Sequence, residues 1–249
     1  MRAMILTAGL GTRLKPLTDT TPKPLVPVGG RPMVSYVLDS LHKYGFNEVL
    51  INVHYLAPQL ENFAHKHNQT NSQQKIFIQD EQKKILGSGG AIAKARDWLF
   101  EHHQSALICN ADNLMKPDLL GLQEKHAELV ASRKVGVTLS TTSFPKFGGE
   151  YTGLRCEQDL VLEFIPAKEV RGQSLSHFPG VYIIEQSAAT LLPGAEESFS
   201  IVEKLWKPLA AEGRLGAWTY KGPYHDLGSV ADLERAESDI RAGLFSEER

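Results

Sequence analysis

The sequence predicts a mixed α/β fold, a mainly parallel sheet flanked by helices, with a β-richer second half. Three observations predict it. Short apolar runs alternate with segments of helical periodicity from residue 2 to about residue 110. After about residue 134, strand-like runs separated by turn residues predominate. The composition, 42% hydrophobic and 22% charged over 249 residues, is that of a globular chain able to bury a sizeable core without disulfide staples.

Each element has its own signal. Residues 2–7 (RAMILT) read as a short buried strand running into a glycine-rich loop. Pro32 opens a helical pattern in which Val34, Val37, Leu38 and Leu41 follow the i, i+3, i+4, i+7 rule, and Gly45 ends it. Residues 48–53 (EVLINV) are a second buried strand, residues 58–67 a helix and residues 76–78 a third strand. The turn-rich QDEQKKILGSGG precedes a helix over AIAKARDWLF, and residues 106–109 form a fourth strand ending at Asn110-Ala111-Asp112. Such alternation implies βαβ units and a Rossmann-like sheet with right-handed crossovers. Farther on, VGVTLSTT is a strand and TGLRCEQDLVLEFIP a hairpin turning near Gln158-Asp159. GVYII at 180–184 and GAWTY at 216–220 are strands. A helix near 200–212 must kink or restart at Pro208. Ser229, with Asp232 three residues on, opens the final helix in the manner of a capping box. No linker, repeat or low-complexity segment divides the chain. A single domain over 1–249 is expected, with residues 1–133 as one half and 134–249 as the other.

Charge and cysteine content narrow the function classes. Lys and Arg total 27 against 29 Asp and Glu, a formal net charge of -2, so no nucleic-acid partner and no acidic membrane surface is expected. A small anion held by a few local cations fits that balance. Cys109 and Cys156 form no CxxC pair and read as reduced, packed thiols. The apolar run before Gly9 is too short for a secretory leader, and no stretch approaches the ~18 apolar residues of a membrane span, so a cytoplasmic location is expected.

The richest chemistry lies in Leu6–Thr18 (LTAGLGTRLKPLT) and Thr21–Val28 (TPKPLVPV). Small residues at Ala8, Gly9 and Gly11 let the backbone approach a ligand, and their N–H groups can face phosphate oxygens. Arg13 adds a planar fork suited to phosphate, and Lys23 is a point cation between two prolines. Leu14 stands where a dinucleotide-binding fingerprint needs its third glycine, and no GK[ST] closes a Walker loop. A tight turn with surface cations accounts for the same GxG.

The whole string resembles the signature of the sugar-1-phosphate nucleotidyltransferases, LAAGxGTRLxPLT…PKPLxPVxxxP. Gly9, Gly11, Thr12, Arg13, Pro16, Leu17, Thr18, Pro22, Lys23, Pro24, Pro27 and Pro32 all match, and Thr7 departs from the usual alanine. The resemblance covers most of the chain. It implies coupling of a nucleoside triphosphate to a sugar 1-phosphate with release of pyrophosphate. It assigns Ala8, Gly9, Gly11 and Thr12 to the triphosphate, Arg13 to the leaving pyrophosphate and Lys23 to the α-phosphate. The attacking sugar phosphate is already an anion, so no general base is required, and positioning and charge stabilisation carry the reaction.

Later segments extend the resemblance. Asn110-Ala111-Asp112 is similar to the family's G-D pair, whose Asp binds Mg²⁺; a helix or turn cap is the plain alternative for Asp112. Tyr224–Ser229 (YHDLGS) is similar to W-x-D-[IV]-G-[ST], which makes Asp226 the second ligand to Mg²⁺, with Mn²⁺ as its substitute. Nine scattered histidines give no zinc spacing. Leu86–Ile92 (LGSGGAI) is similar to an LGTGGA-type loop, implying that Gly87, Ser88 and Gly89 lie against base and ribose; a helix N-terminal turn capped by Ser88 is the alternative. On the sugar side, Glu163 and Lys168 resemble the stretch whose lysine contacts the sugar phosphate, and Gly149 and Glu150 stand where the family meets the sugar. Phe178 occupies the place of a polar sugar contact, and the charge run Asp80–Lys84 reads as a solvated loop.

The length resembles that of N-acetylmuramate-1-phosphate uridylyltransferase-like members, so UTP is the first choice of donor. Heptose- or mannose-1-phosphate guanylyltransferase and phosphocholine cytidylyltransferase are the alternatives within the family. A non-catalytic nucleotide-sensing module and a NAD(P)-dependent enzyme are the rivals outside it. A monomer or small homo-oligomer is expected.

Overall fold

The computed structural model describes residues 1–143, 151–169 and 174–245. In chain order its elements are β1 (Ala3–Leu6), β2 (Pro27–Val28), β3 (Arg31–Pro32), α1 (Met33–Lys43), β4 (Glu48–Val53), α2 (Ala57–Thr70), β5 (Lys75–Asp80), α3 (Gly87–Phe100), β6 (Ser105–Asn110) and β7 (Asn113–Met115). There follow α4 (Leu119–Arg133), β8 (Val137–Ser143), β9 (Gly153–Glu157), β10 (Leu160–Ile165), β11 (Ser176–His177), β12 (Val181–Glu185), α5 (Gln186–Ala189), α6 (Lys207–Ala211), β13 (Leu215–Thr219), β14 (Tyr224–Asp226) and α7 (Val230–Arg241). They form two compact units interleaved along the chain. The first comprises Met1–Ile85, Ile108–Pro117 and Gly222–Arg249, and the second Leu86–Leu107 and Asp118–Lys221.

In the first unit β1 pairs parallel with β4, and β4 parallel with β5 from Glu48 opposite Lys75 to Val53 opposite Asp80. Near-continuous apolar runs suit such strands, and Ala3, Met4, Ile5, Val49, Ile51 and Val53 are all buried. α1 buries Met33, Val34, Leu38 and Leu41, nearly the stripe expected; Val37 is half-buried. Gly45 ends it at φ 79°, its N–H donating to the His42 carbonyl. Ser229 caps α7, its Oγ accepting from the Asp232 N–H at 3.3 Å, as the capping box requires.

At the carboxyl ends of these strands lies a buried polar chain. The Thr7 N–H donates to Asn52 Oδ1 (2.8 Å) and its hydroxyl to the Asn52 carbonyl. Asn52 Nδ2 and Gln79 Nε2 both donate to Glu81 Oε1, at 3.0 and 2.9 Å. This gives Thr7 a role that alanine cannot fill. It also corrects the reading of Asp80–Lys84 as solvated throughout: Asp80, Gln82, Lys83 and Lys84 are exposed, but Glu81 is buried because these donors replace its water.

The second unit is mostly antiparallel. β8 pairs antiparallel with β12 and parallel with β13, and β10 pairs antiparallel with β13 and β9. The β9–β10 hairpin turns through Gln158 (φ 48°) and Asp159 (φ 62°), the two positive φ values that a two-residue type I′ turn needs. α4 has no counterpart in the sequence reading. Asp118 caps it by accepting from the Gly121 N–H at 3.0 Å, and its buried stripe is Leu119, Leu122, His126 and Leu129. The polar residue in that stripe is buried because both ring nitrogens are engaged, Nδ1 with Thr138 Oγ1 at 2.8 Å and Nε2 with Glu185 Oε1 at 2.9 Å. The segment around Pro208 does not start afresh: the backbone stays right-handed helical through Trp206 and Lys207, and the chain accommodates Pro208 with a π-helical turn over Val202–Trp206, the Lys207 N–H donating to the Val202 carbonyl, before α6 continues.

α3 starts at Gly87, four residues before the helix read from sequence. The cause is the strand-like contact of Leu86–Gly89 with residues 197–201. The Gly89 N–H donates to the Phe199 carbonyl and the Phe199 N–H to the Leu86 carbonyl, both at 3.0 Å. A Cβ at Gly90 would lie 2.2 Å from the Glu197 carbonyl oxygen, and one at Gly89 2.4 Å from the Phe199 ring. These glycines are held by packing of the chain on itself.

Both cysteines are free, and burial pushes the Cys109 thiol up to about 12, which leaves it an inert packed thiol. His177 on β11 is 8% exposed, and burial lowers its pKa from 6.5 to about 4. The unfolded chain then binds a proton between pH 6.5 and 4 that the folded chain does not, so stability falls as pH drops through that window. Burial at this site predicts a loss of at most ~3 kcal/mol between pH 7 and pH 4. Urea melts of His177→Asn should show a visibly flatter pH dependence than those of the parent chain; parallel curves would remove His177 from the acid transition.

Candidate active site

The first unit holds eight of the site residues singled out in the sequence: Ala8, Gly9, Gly11, Thr12, Arg13, Lys23, Asp112 and Asp226. The loop after β1 is pinned by Leu14, which is fully buried in a cluster with Val26, Val28, Met33, Leu114, Leu227, Leu233 and Phe245. That anchor leaves Thr12 and Arg13 exposed on the 3-10 turn Thr12–Leu14. Gly11 must be glycine for two reasons: its φ is 65°, and a Cβ would lie 2.9 Å from Thr18 Cγ2 and 3.1 Å from Lys23 Cβ. Thr18 Oγ1 donates to the Gly11 carbonyl at 2.8 Å and closes the loop. Ala8 is buried and Gly9 exposed; among the described residues no atom lies within 4 Å of where a Gly9 Cβ would be. The steric demand for glycine thus comes from protein at position 11, whereas position 9 faces open space.

Lys23 opens the 3-10 turn Lys23–Leu25, with Pro22 before it and Pro24 after it. It is only 9% exposed, and its Nζ donates to Asp112 Oδ2 at 2.7 Å. A nearly buried ammonium needs such a partner. Asp112 therefore does not cap a helix; the cap of α4 is Asp118.

Asp226 reaches the same junction through backbone pairing. β14 runs antiparallel to β7 with Asp226 opposite Asn113, and the next rung is the Leu227 N–H donating to the Asp112 carbonyl at 2.9 Å. The two aspartates, 114 positions apart in sequence, thus stand one residue apart across a strand pair. His225 is drawn away from them, its Nε2 held by Asp239 Oδ2 at 2.8 Å and its ring beside Phe245. Arg13 joins the junction through Gly228, where a Cβ would sit 2.7 Å from Nη1 and 3.0 Å from Cζ. Gly228 is the residue whose role the sequence reading missed. Its signal was the glycine of YHDLGS, but only the fold shows that a guanidinium lies over it.

Two aspartates at neighbouring backbone positions of one strand pair would offer oxygen donors of the kind Mg²⁺ accepts, with remaining positions left to phosphate oxygens and water. Among the described residues no group of three His, Cys, Asp or Glu is poised for a metal.

The other sequence-selected residues belong to the second unit. Gly87 is exposed at φ 68°, and the Ser88 hydroxyl accepts from the Ile201 N–H at 3.1 Å instead of capping α3. Glu163 on β10 pairs with Arg155 on β9 at 3.1 Å, both exposed, and Lys168 is exposed on the turn Ala167–Glu169. Phe178, standing where a polar sugar contact was expected, packs edge-on against Tyr182 and Trp206, ring centroids 5.9 and 5.0 Å apart. Gly149 and Glu150 lie outside the described residues.

The sequence from residue 2 to residue 243 matches the nucleotidyl transferase family. The chain belongs to that family. It is 30% identical over 243 residues to the N-acetylmuramate alpha-1-phosphate uridylyltransferase of Caulobacter vibrioides, covering 94% of this chain and 97% of that one. It is 28% identical over 247 residues to the UTP–glucose-1-phosphate uridylyltransferase of Synechocystis sp., covering 95% of this chain but 62% of that longer protein. HddC from Yersinia pseudotuberculosis shares the fold, with a TM-score of 0.76 at 23% identity over 96% of this chain and 99% of that one. Nucleotidyltransferases of the family generally use divalent metal ions. No helix among the described residues is long and apolar enough to cross a membrane.

Proposed function

We propose that this nucleotidyl transferase family member moves a nucleoside monophosphate from a nucleoside triphosphate, UTP first, onto a sugar 1-phosphate. An oxygen of the sugar phosphate attacks the α-phosphorus, the bond between α-phosphorus and bridging oxygen breaks, and pyrophosphate leaves with that oxygen. No proton need be removed from the attacking oxygen. The observation that carries this reading is the convergence of Arg13, Lys23, Asp112 and Asp226 at one strand junction of the first unit.

Their roles follow from charge and exposure. The open loop at Ala8, Gly9, Gly11 and Thr12 cradles the triphosphate with backbone N–H groups. Arg13, exposed and forked, meets the charge that develops on the leaving pyrophosphate. Lys23 is shared between Asp112 and the α-phosphate, so it arrives with its position already fixed. Asp112 and Asp226 hold a divalent cation, Mg²⁺ or in its place Mn²⁺, which when bound neutralises phosphate charge. Gly87, Ser88 and Gly89 offer backbone to the base and ribose, and Glu163, Lys168 and Gly149 serve the sugar phosphate. In this division residues 1–133 mainly bind nucleotide and residues 134–249 mainly bind sugar phosphate.

UTP is favoured because the Caulobacter relative, matched over nearly its whole length, is a uridylyltransferase. A panel of UTP, GTP, CTP and dTTP against N-acetylmuramate, glucose, mannose and heptose 1-phosphates and phosphocholine, read by pyrophosphate release, tests both donor and acceptor. Highest kcat/KM with GTP would reassign the donor, and no release with any pair would leave a nucleotide-binding module. Within that panel Lys168→Ala should raise the KM for the sugar phosphate by about tenfold, a lost charged contact of ~1.4 kcal/mol, with a smaller effect on kcat. An unchanged KM would return Lys168 to the solvated surface.

A further inference from the structure

Glu81, the residue that follows β5, is only 3% exposed. A carboxylate is seldom buried unless donors replace its water. Its backbone is held on both sides: the N–H donates to the Val53 carbonyl at 2.8 Å, and the carbonyl accepts from His54 Nδ1 at 2.7 Å. Its side chain accepts from Asn52 Nδ2 and Gln79 Nε2 on one oxygen, Oε1. The carboxylate is therefore a fixed point at the carboxyl ends of β4 and β5, the end at which open α/β sheets place their ligands.

What a carboxylate contributes there is direction. A side-chain amide can turn over and exchange donor for acceptor, whereas a carboxylate only accepts. Glu81 thereby holds Asn52 with Nδ2 toward itself and Oδ1 toward the Thr7 N–H, which donates to it at 2.8 Å. Turned over, Asn52 would set its NH₂ group against the Thr7 N–H and its oxygen against the carboxylate. The Thr7 hydroxyl donates to the Asn52 carbonyl as well, so Thr7 is tied to β4 by backbone and side chain. Ala8, where the glycine-rich loop begins, follows directly. The loop is anchored at both ends, by Thr7 on one side and by buried Leu14 and the Thr18–Gly11 bond on the other. Between them Gly9 is uncrowded by any described residue.

We propose that Glu81 is a positioning residue for the nucleoside triphosphate. Acting through Asn52, it fixes the Thr7 peptide from which the Ala8–Thr12 cradle departs, so that the cradle is already formed when substrate arrives. This role rests on the assignment of that loop to the triphosphate. It needs only a backbone N–H at position 7 and is independent of the side chain there. Donors fixed in advance cost little reorganisation on binding.

Amide hydrogen exchange of the full chain, followed by NMR, reads the anchor without substrate, and calorimetry with UTP and Mg²⁺ reads its consequence. In Glu81→Leu the Thr7 N–H should exchange faster by at least tenfold more than the Ile51 N–H within the β4 ladder, and the UTP Kd should rise at least tenfold. Glu81→Gln keeps an oxygen within reach of both amides, so it should bring both values to within threefold of the parent. If Glu81→Leu fails to fold, Asn52→Asp decides. It sets two carboxylates face to face and should weaken UTP at least tenfold, and adding Glu81→Gln should restore affinity to within threefold. Parent-like UTP affinity in Glu81→Leu, equal acceleration at Thr7 and Ile51, or no restoration in the double variant would overturn the positioning role alone. A parent chain that binds no UTP, with Thr7 exchange as expected, would overturn the triphosphate reading and the role with it.

Discussion

Asp112→Asn and Asp226→Asn should each lower kcat by at least about 10²–10³-fold, and the double variant should be little worse than either. The β7–β14 ladder sets these two residues one position apart, and the proposed reaction brings a triphosphate to them. Without a cation between them, like charges would repel substrate. Removing one ligand therefore disables the pair, and effects of groups that act as a unit do not add. EDTA should abolish turnover and Mg²⁺ or Mn²⁺ restore it. Asp112 is the hydrogen-bond partner of a nearly buried ammonium, so its substitution should cost about 1.5–3 kcal/mol, the range for a hydrogen bond to a charged group. Full activity in excess EDTA would remove the metal role from both residues. A large drop in Tm for Asp226→Asn alone would make that residue structural.

Arg13→Ala is expected to lower kcat by about 10²–10³-fold, the ~2.7–4 kcal/mol typical of losing one donor aimed at developing charge. Its side chain is exposed and packs into no core, so stability should stay within about 0.5 kcal/mol. Arg13→Lys should recover only part of the loss, because an ammonium lacks the planar fork. Gly228→Ala tests the same residue from the other side. The added methyl would sit 2.7 Å from Nη1, the far end of a flexible side chain, so the guanidinium moves while the fold holds. Activity should fall in the parent background and change little further when Arg13 is already alanine. Near-full kcat in Arg13→Ala would detach the loop from the leaving group. Additive losses in the double variant would mean that Gly228 acts by another route.

Much of this chain could be read from local pattern. β1, β4 and α1 follow from apolar runs and a 3.6-residue stripe, because burial on a parallel sheet or one helix face leaves that mark directly in sequence, whereas β5 shows an apolar run although its Phe77 and Ile78 are exposed. The Gln158-Asp159 hairpin and the Ser229 cap were legible because turn and cap chemistry involve only residues within a few positions. α4 was missed because His126 interrupts its apolar stripe, and the groups that make that imidazole buriable lie on β8 and β12. The start of α3 was misplaced because the partner of Leu86–Gly89 is a segment more than 100 residues later.

The same division runs through the candidate site. The sequence by itself determined the family, the residue types of the loop after β1, and Arg13, Lys23, Asp112 and Asp226 as the charges to examine, since the family signature is a short-range spacing of glycine, proline and charge. Tertiary structure alone decided that Lys23 reaches Asp112, that Asp226 stands opposite Asn113, that Gly228 makes room for Arg13, and that Glu81 is buried. Those facts depend on which strand ends meet, and strand pairing is set by the burial of many side chains together. No local run of residues encodes it.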